Sequence, residues 1–177
     1  MDSDERHKWN REERAILQSL DGLLREKSVT ESIDRIAARL LARTPAGSAK
    51  LMDREPVPLS VYGDKLPPVV RSSWVFLMRA PAVTGAERHP NSHQRSVAYR
   101  GTGFFEVSDS PEFEGEAEGA SHLLSSGLDD PLETRWISIP VNLWHQAVVP
   151  EGEWIVVSFH TAAEKDLVEE RPERRRQ

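Results

Sequence analysis

Apolar residues recur every three or four positions in two stretches near the N-terminus, residues 11–26 and 31–43. This spacing places them on one face of a helix. The residues that carry the pattern are Ile16, Leu17, Leu20, Leu23 and Leu24, followed by Ile33, Ile36, Ala37, Leu40 and Leu41. Thr30 or Ser28 offers a capping signal for the second helix, and the segment 44–48 stops it. The pattern predicts an α-helical hairpin that packs on the rest of the chain or on another subunit.

From about residue 56 the pattern changes to short runs of β-branched and aromatic residues separated by turn signals. The runs cover residues 73–78, 96–99, 103–107, 136–139 and 154–159. Many short strands without helical patterns between them indicate a closed barrel or a sandwich. Residues 108–133 are acidic and rich in turn formers, so they are predicted to form a surface insertion between strands.

These patterns divide the chain into a helical segment at residues 1–47, a β domain at 48–165 and a charged tail at 166–177. The tail mixes acidic and basic residues, and it is predicted to be solvated. A length of 177 residues allows one domain with a real core plus appendages.

Composition excludes several classes of protein. No apolar run approaches the roughly 20 residues that cross a bilayer, and the charged N-terminus lacks the apolar core of a secretory signal. We therefore expect a cytoplasmic protein that does not bind membranes. The formal net charge of −6 argues against nucleic acid as a partner. Because cysteine is absent, imidazole, carboxylate or amide oxygen must hold any metal.

Histidines accompany the predicted strands. Glu87 and His89 are two residues apart, so on a strand their side chains face the same side. His145 enters a strand after a turn, and His160 ends the next strand with Ser158 on the same face. A single histidine is more often an ordinary packed or surface residue than a ligand. The combination of these positions is what favours a site.

The first part of this combination resembles the first motif of the cupin superfamily. That motif is His-x-His, three or four residues, Glu, six residues and Gly. Here Glu87-x-His89 is followed after four residues by Gln94 and after six more by Gly101.

The second cupin motif, Pro-x-Gly-x-x-His-x-x-x-Asn, is similar to a later stretch of the chain. The corresponding residues are Pro140, Asn142, His145 and Val149. The resemblance covers roughly residues 56–162 and implies a mainly β protein. Its fold would be a single cupin barrel, a double-stranded β-helix or jelly roll, preceded by the α-helical hairpin.

A narrower resemblance is to the cysteine dioxygenase-like cupins, the thiol dioxygenases. These carry His-x-His-x-x-x-His, a later histidine and a downstream Ser-x-His. Here Glu87-x-His89-x-x-x-His93 reproduces the first spacing with one substitution, His145 matches the later histidine, and the segment 158–160 matches Ser-x-His.

The thiol dioxygenase resemblance implies a role for each matched residue. The implied metal ligands are Glu87, His89 and His145. The implied catalytic neighbours are His160, Ser158 and His93. The candidate substrate-binding residues are Arg79, Gln94 and Tyr99, since arginine pairs with a carboxylate through two hydrogen bonds.

Three departures from the thiol dioxygenase pattern bear on the chemistry. One is Ala162, which stands where the relay through Ser158 and His160 normally ends in tyrosine. Glu87 replaces a histidine, which gives two imidazoles and one carboxylate, an arrangement known for non-haem Fe(II) with open positions. Gln94 stands where some members carry a cysteine crosslinked to tyrosine. One divalent metal is expected, Fe(II) before Zn(II), Mn(II) or Ni(II).

Three functions remain open from the sequence. The first is a mononuclear Fe(II) oxygenase, resembling cysteine and thiol dioxygenases, that acts on a small polar molecule. The second is a metal-dependent isomerase, lyase or hydrolase of the same fold. The third is a non-catalytic cupin that binds a ligand in a regulatory role. A homodimer fits all three, because the amphipathic helices leave an apolar face to cover.

Overall fold

Two helices precede the β domain in the computed structural model, which describes residues 9–113 and 120–172. Helix α1 spans Arg11–Leu24 and α2 spans Lys27–Arg43. The predicted apolar faces are buried in both helices. The α-helical hairpin is therefore confirmed. No helix within the described ranges is long and apolar enough to cross a membrane.

The helix boundaries differ in one respect from the sequence analysis. The capping signal predicted at Thr30 or Ser28 is wrong, because α2 begins earlier, at Lys27. The Thr30 hydroxyl instead donates to the carbonyl of Leu24 at the end of α1 (2.9 Å), which ties the two helices together at their corner. The cap of α1 is Asn10, whose side-chain oxygen accepts from the backbone N–H of Glu13 (2.8 Å).

The described residues of the β domain form one curled antiparallel sheet. Its strands are β1 (Met52–Pro56), β2 (Ser72–Arg79), β3 (Ala82–Val83), β4 (Gln94–Ser108), β5 (Ala120–Ser125), β6 (Trp136–Ile139), β7 (Trp144–Val149) and β8 (Glu153–His160). The order is β1-β2-β8-β4-β7-β3, and β5 and β6 also pair with β4. A short helix α3 (Leu132–Arg135) and 3-10 turns at Leu59–Lys65 and Glu164–Asp166 lie in the connections.

Strand β4 joins the two halves of the curled sheet. Its residues 94–101 pair with β8, and residues 104–108 pair with β7. The two predicted strands at 96–99 and 103–107 are thus one continuous strand. Gly101, with φ of +81°, lies where β4 passes from one half to the other. A Cβ at this position would collide with the carbonyl oxygen of Glu153, so the bend requires glycine.

Alternation along the strands divides the sheet into two faces. On the outer face of β2, β8 and β4, apolar residues such as Val75, Val97 and Phe159 pack with the buried faces of α1 and α2. On the inner face, a second cluster that includes Trp154 and Val156 fills the barrel. The hairpin therefore covers the outer face of the sheet, and its apolar cluster is separate from the one inside the barrel.

Two desolvated ion pairs connect α1 to the β domain, one through Arg95 on β4 and one through Arg135 on α3. Arg95 donates to both carboxylate oxygens of Glu13 (2.8 and 2.7 Å). Arg135 lies 2.7 Å from Asp21, which also accepts from the indole N–H of Trp136 (3.0 Å). Arg95 and Arg135 are both buried. A buried arginine must stay paired, so these contacts fix how α1 sits on the barrel.

Parts of the predicted surface insertion and of the predicted charged tail take part in the β domain. Strand β5 lies inside the predicted acidic insertion, 108–133. Its residue Leu124 is buried in the apolar cluster inside the barrel. Glu114, Glu116 and Glu118 of that insertion lie outside the described residues. Residues 166–172 of the predicted solvated tail lie beside the segment 87–91, as described below.

The buried pair at Asp21 generates a prediction about stability. The substitution Asp21→Ala leaves Arg135 buried without a carboxylate, so we expect a loss of about 3–5 kcal/mol in the free energy of unfolding. Urea unfolding followed by circular dichroism measures this loss. The matched control is Glu31→Ala on the exposed Lys27–Glu31 pair of α2, which we expect to cost less than about 0.5 kcal/mol. Equal losses in the two variants would contradict the proposed anchoring.

Candidate metal centre

Glu87 and His145 are brought together by backbone pairing. The N–H of Glu87 donates to the carbonyl of His145 (2.9 Å), and the N–H of His145 donates to the carbonyl of Glu87 (2.8 Å). This antiparallel bridge places the two residues opposite each other at the start of β7. As a result, the Glu87 carboxylate oxygen Oε1 lies 3.6 Å from Nε2 of His145.

His89 completes a cluster with these two residues. One ligand atom from each of Glu87, His89 and His145 lies within 4.8 Å of the other two. The ring centroids of His89 and His145 are 5.3 Å apart. The structure thus brings together the three residues that the thiol dioxygenase resemblance implies as ligands. That they bind a metal stays a prediction.

Both imidazoles are held by backbone carbonyls at Nδ1. Nδ1 of His89 lies 3.0 Å from the carbonyl of Val168, and Nδ1 of His145 lies 3.2 Å from the carbonyl of Leu143. A carbonyl only accepts, so Nδ1 carries the proton in each neutral ring and Nε2 carries the lone pair. This is the tautomer and the outer partner that metal-binding histidines use.

Burial and one unpaired nitrogen make the cluster suited to hold a cation. His145 is 1% exposed and His89 is 5% exposed. Nε2 of His145 has no hydrogen-bond partner among the residues that the structure describes, although buried nitrogens normally have one. Two ligands on one ion, each about 2.0–2.2 Å away, are roughly 3–3.5 Å apart. The 3.6 Å between His145 Nε2 and Glu87 Oε1 is close to that spacing.

The charge of the cluster also suits a divalent metal. Burial raises the pKa of Glu87, but its contact with His145 and the charges of His89 and Arg171 outweigh burial, so the pKa lies below its usual value. Burial lowers the pKa of His89. At neutral pH the cluster therefore offers a carboxylate and an uncharged His89 imidazole, the forms that bind metals.

Ser158, His160 and Gln94 lie beside the cluster on the inner face of the barrel. The rings of His160 and His89 meet edge to face with centroids 5.3 Å apart, and Nε2 of His160 lies 3.2 Å from the Ser158 hydroxyl. Burial, with the charges of His89 and His145, lowers the pKa of His160 to about 3. Gln94 pairs with His160 across β4 and β8. These three residues form a buried polar band next to the candidate ligands.

Three predicted residues lie elsewhere, which corrects their expected placement. Nε2 of His93 contacts the Ser138 hydroxyl (2.6 Å) on the helix-facing side of the sheet. The turn at residues 90–92 causes this, because it brings His93 onto the same face as Arg95. Tyr99 also faces the helices, and its hydroxyl donates to Asp34 (2.9 Å). Arg79 is paired with Glu153 (2.7 Å), away from the cluster.

The sequence analysis missed the contribution of residues 166–172, which we call the C-terminal strap. Val168 supplies the carbonyl that holds His89. Arg171 donates from Nη2 to Oε2 of Glu87 (2.7 Å). The apolar pair Leu167-Val168 ahead of the charged residues is the one sequence signal that distinguishes this segment from a solvated tail.

Comparisons with known proteins identify the fold. The sequence matches no family model and no curated protein. It is similar in structure to the coconut allergen cocosin, with 15% identity and a TM-score of 0.51 over 73% of this chain and 31% of that chain. It is also similar to oxalate oxidase in complex with the substrate analogue glycolate, with 13% identity and a TM-score of 0.50 over 73% of this chain and 60% of that one.

Procruciferin, the 11S globulin from Brassica napus, gives 13% identity and a TM-score of 0.50 over 73% of this chain and 29% of that chain. The chain thus spans less than two thirds of the length of each of these proteins. At such identities the likeness shows the fold alone, and that fold is the cupin barrel predicted from the motifs. The likeness identifies no family within that fold.

Metal analysis tests the cluster directly. We expect the wild-type protein to bind about one divalent metal per chain, because three ligand groups converge there. Each of Glu87→Ala, His89→Ala and His145→Ala should weaken binding by at least about 100-fold, more than the loss of an outer partner. His93→Ala is the matched control, and it should retain the wild-type affinity in a chelator competition assay. A large loss in His93→Ala, or none in the three cluster variants, would contradict the assignment.

Proposed function

We propose that this protein is a mononuclear metal enzyme, an Fe(II)-dependent oxygenase that acts on a small polar substrate and resembles the cysteine and thiol dioxygenases. The observation that carries the proposal is the cluster of Glu87, His89 and His145, which lies beside a buried polar band inside a cupin barrel.

The ligand set supports iron. Two imidazoles and one carboxylate form the arrangement that non-haem Fe(II) oxygenases use, with the remaining positions open. When bound, Fe(II) would supply redox activation of dioxygen and of the substrate. Glu87 would offset one of the two positive charges of the ion. His89 and His145 would hold it through Nε2, since both Nδ1 atoms face carbonyls.

The inner wall of the barrel supports a small polar substrate. Oε1 of Gln94 and Nδ1 of His160 are buried and have no hydrogen-bond partner within the described ranges. The indole nitrogen of Trp74, on β2 across from Ser158, is in the same situation. Leaving such atoms unpaired costs free energy, so a substrate with both donors and acceptors would pair them.

Residues of the polar band would position the substrate and relay protons. The depressed pKa of His160 keeps its ring uncharged at neutral pH. An uncharged imidazole can donate through one nitrogen and accept through the other. Because Nε2 lies against the Ser158 hydroxyl (3.2 Å), Nδ1 would be left to pair with the substrate. His160 is therefore suited to hold or pass a proton beside the substrate.

A non-redox function is the second candidate, because the same three ligands also suit zinc. Two histidines and one glutamate are also a catalytic zinc set. With zinc bound, the same residues would serve a hydrolase, lyase or isomerase in which the ion acts as a Lewis acid. The identity of the native metal separates the two candidates.

Oxygen consumption tests the leading proposal. Protein loaded with Fe(II), with the iron content verified, is mixed with a panel of small thiols and small carboxylic acids. The acids belong there because an oxalate oxidase of similar fold was solved with the substrate analogue glycolate. We expect uptake with at least one compound, and an Fe(II)-loaded Glu87→Ala sample should be slower by about 100-fold or more.

The control for the uptake assay is Arg43→Gln, on an exposed ion pair at the far end of α2, and it should behave as the wild type. Absence of uptake across the panel, with iron bound, would rule out an oxygenase acting on these classes. Zinc in the protein as purified, together with no uptake, would favour the Lewis-acid function.

A further inference from the structure

Hydrogen bonds join the C-terminal strap to the segment that carries Glu87 and His89. The side chain of Asn91 donates to the carbonyl of Asp166 (2.6 Å) and accepts from the N–H of Val168 (3.0 Å). Asn91 therefore forms hydrogen bonds with the strap on both sides of Leu167. This contact fixes the backbone just before the carbonyl of Val168 that faces His89.

A second set of hydrogen bonds joins the strap to the same segment at Glu170. Arg88 and Glu170 exchange two backbone hydrogen bonds of 3.0 Å each, as neighbours in an antiparallel sheet do. Their side chains also pair, with Nε of Arg88 donating to Oε2 of Glu170 (2.8 Å). The strap thus continues the sheet beyond the edge formed by Glu87 and His145.

From this position the strap touches two of the three candidate ligands. The carbonyl of Val168 lies 3.0 Å from Nδ1 of His89. The guanidinium of Arg171 donates to Oε2 of Glu87 and is itself held by Glu169 (2.8 Å) and by the carbonyl of Thr84 (3.0 Å). The third ligand is independent of the strap, because Nδ1 of His145 faces the carbonyl of Leu143 in its own loop.

We propose that the C-terminal strap is part of the metal centre, and that it sets metal affinity by positioning His89 and Glu87. This inference rests on the proposed function, because it requires those residues to bind a metal. Val168 fixes the tautomer that leaves Nε2 of His89 free for the ion. Arg171 occupies one carboxylate oxygen of Glu87, so that Oε1 is the oxygen presented next to His145.

The strap acts on the orientation of the two ligands rather than on the free energy of unfolding of the protein. Arg171 is half exposed, and an exposed ion pair contributes little to the free energy of unfolding. Outer hydrogen bonds to metal ligands, in contrast, typically change metal affinity by about 10- to 100-fold when removed. Arg171 and Val168 are therefore positioning residues, and a readout of metal binding should detect them where a stability measurement does not.

The test measures metal affinity in the full-length protein by chelator competition with Fe(II) and Zn(II). We expect Asn91→Ala, which releases the strap, to weaken binding by about tenfold or more. Arg171→Ala, on the surface of the strap, should weaken it in the same direction without risk to folding. The matched control is Asn10→Ala, which removes an asparagine contact at the start of α1 and should leave metal affinity unchanged.

A spectroscopic readout accompanies the affinities. Nitrogen-15 NMR of the metal-free wild type should show His89 protonated at Nδ1, and Asn91→Ala should show a mixture of the two tautomers. If the wild type binds metal and Glu87→Ala does not, but both strap variants bind like Asn10→Ala, the strap inference is overturned and the proposed function stands. If the wild type binds no metal, both are overturned.

Discussion

Glu87 and His145 exchange two backbone hydrogen bonds, and the geometry of the whole candidate centre depends on that exchange. The bridge aligns a carboxylate and an imidazole that lie far apart in the chain, and β7 holds His145 in place through its pairing with β4. The backbone ladder thus sets where the two side chains start, and their ligand atoms Oε1 and Nε2 lie 3.6 Å apart.

Because the sheet has two different faces, alternate residues of β4 and β8 point into the barrel and toward the helices. Along β4, Gln94 and Ser96 point into the barrel, while Arg95 and Val97 point to the helices. Along β8, Ser158 and His160 point inward while Phe159 packs outward. A polar interior is costly unless its groups are paired, and the outer face buries large apolar side chains against α1 and α2. The hairpin thereby supplies apolar burial that the polar part of the barrel interior lacks.

Sequence patterns predicted the parts of this protein that local periodicity or motif spacing encodes. The helical faces follow from 3.6-residue periodicity, and β2, β6 and β8 follow from runs of β-branched and aromatic residues. The grouping of Glu87, His89 and His145 was implied by the resemblance to the thiol dioxygenase motifs. The continuity of β4 could not be predicted in this way, because the glycines at 101 and 103 suggest breaks between strands. In the fold, Gly101 is where the strand bends.

Other features could not be predicted because they depend on long-range contacts. The turn at 90–92 decides which face His93 occupies, and no alternation rule extends through a turn. The strap contacts His89 through a main-chain carbonyl, which is the same group in every residue and leaves no trace in the sequence. Its charged side chains resemble those of a solvated tail, although Arg171 and Glu170 are paired.

The burial of the helical hairpin within a single chain has a consequence for self-association. Leu17, Leu20 and Leu40 are fully enclosed by the sheet and by each other, so this apolar stripe is not available to a second copy. The side of α1 and α2 that faces solvent carries arginine, glutamate, serine and alanine. Any contact between two molecules through this side would join hydrated, charged surfaces, and its strength would fall as salt is added.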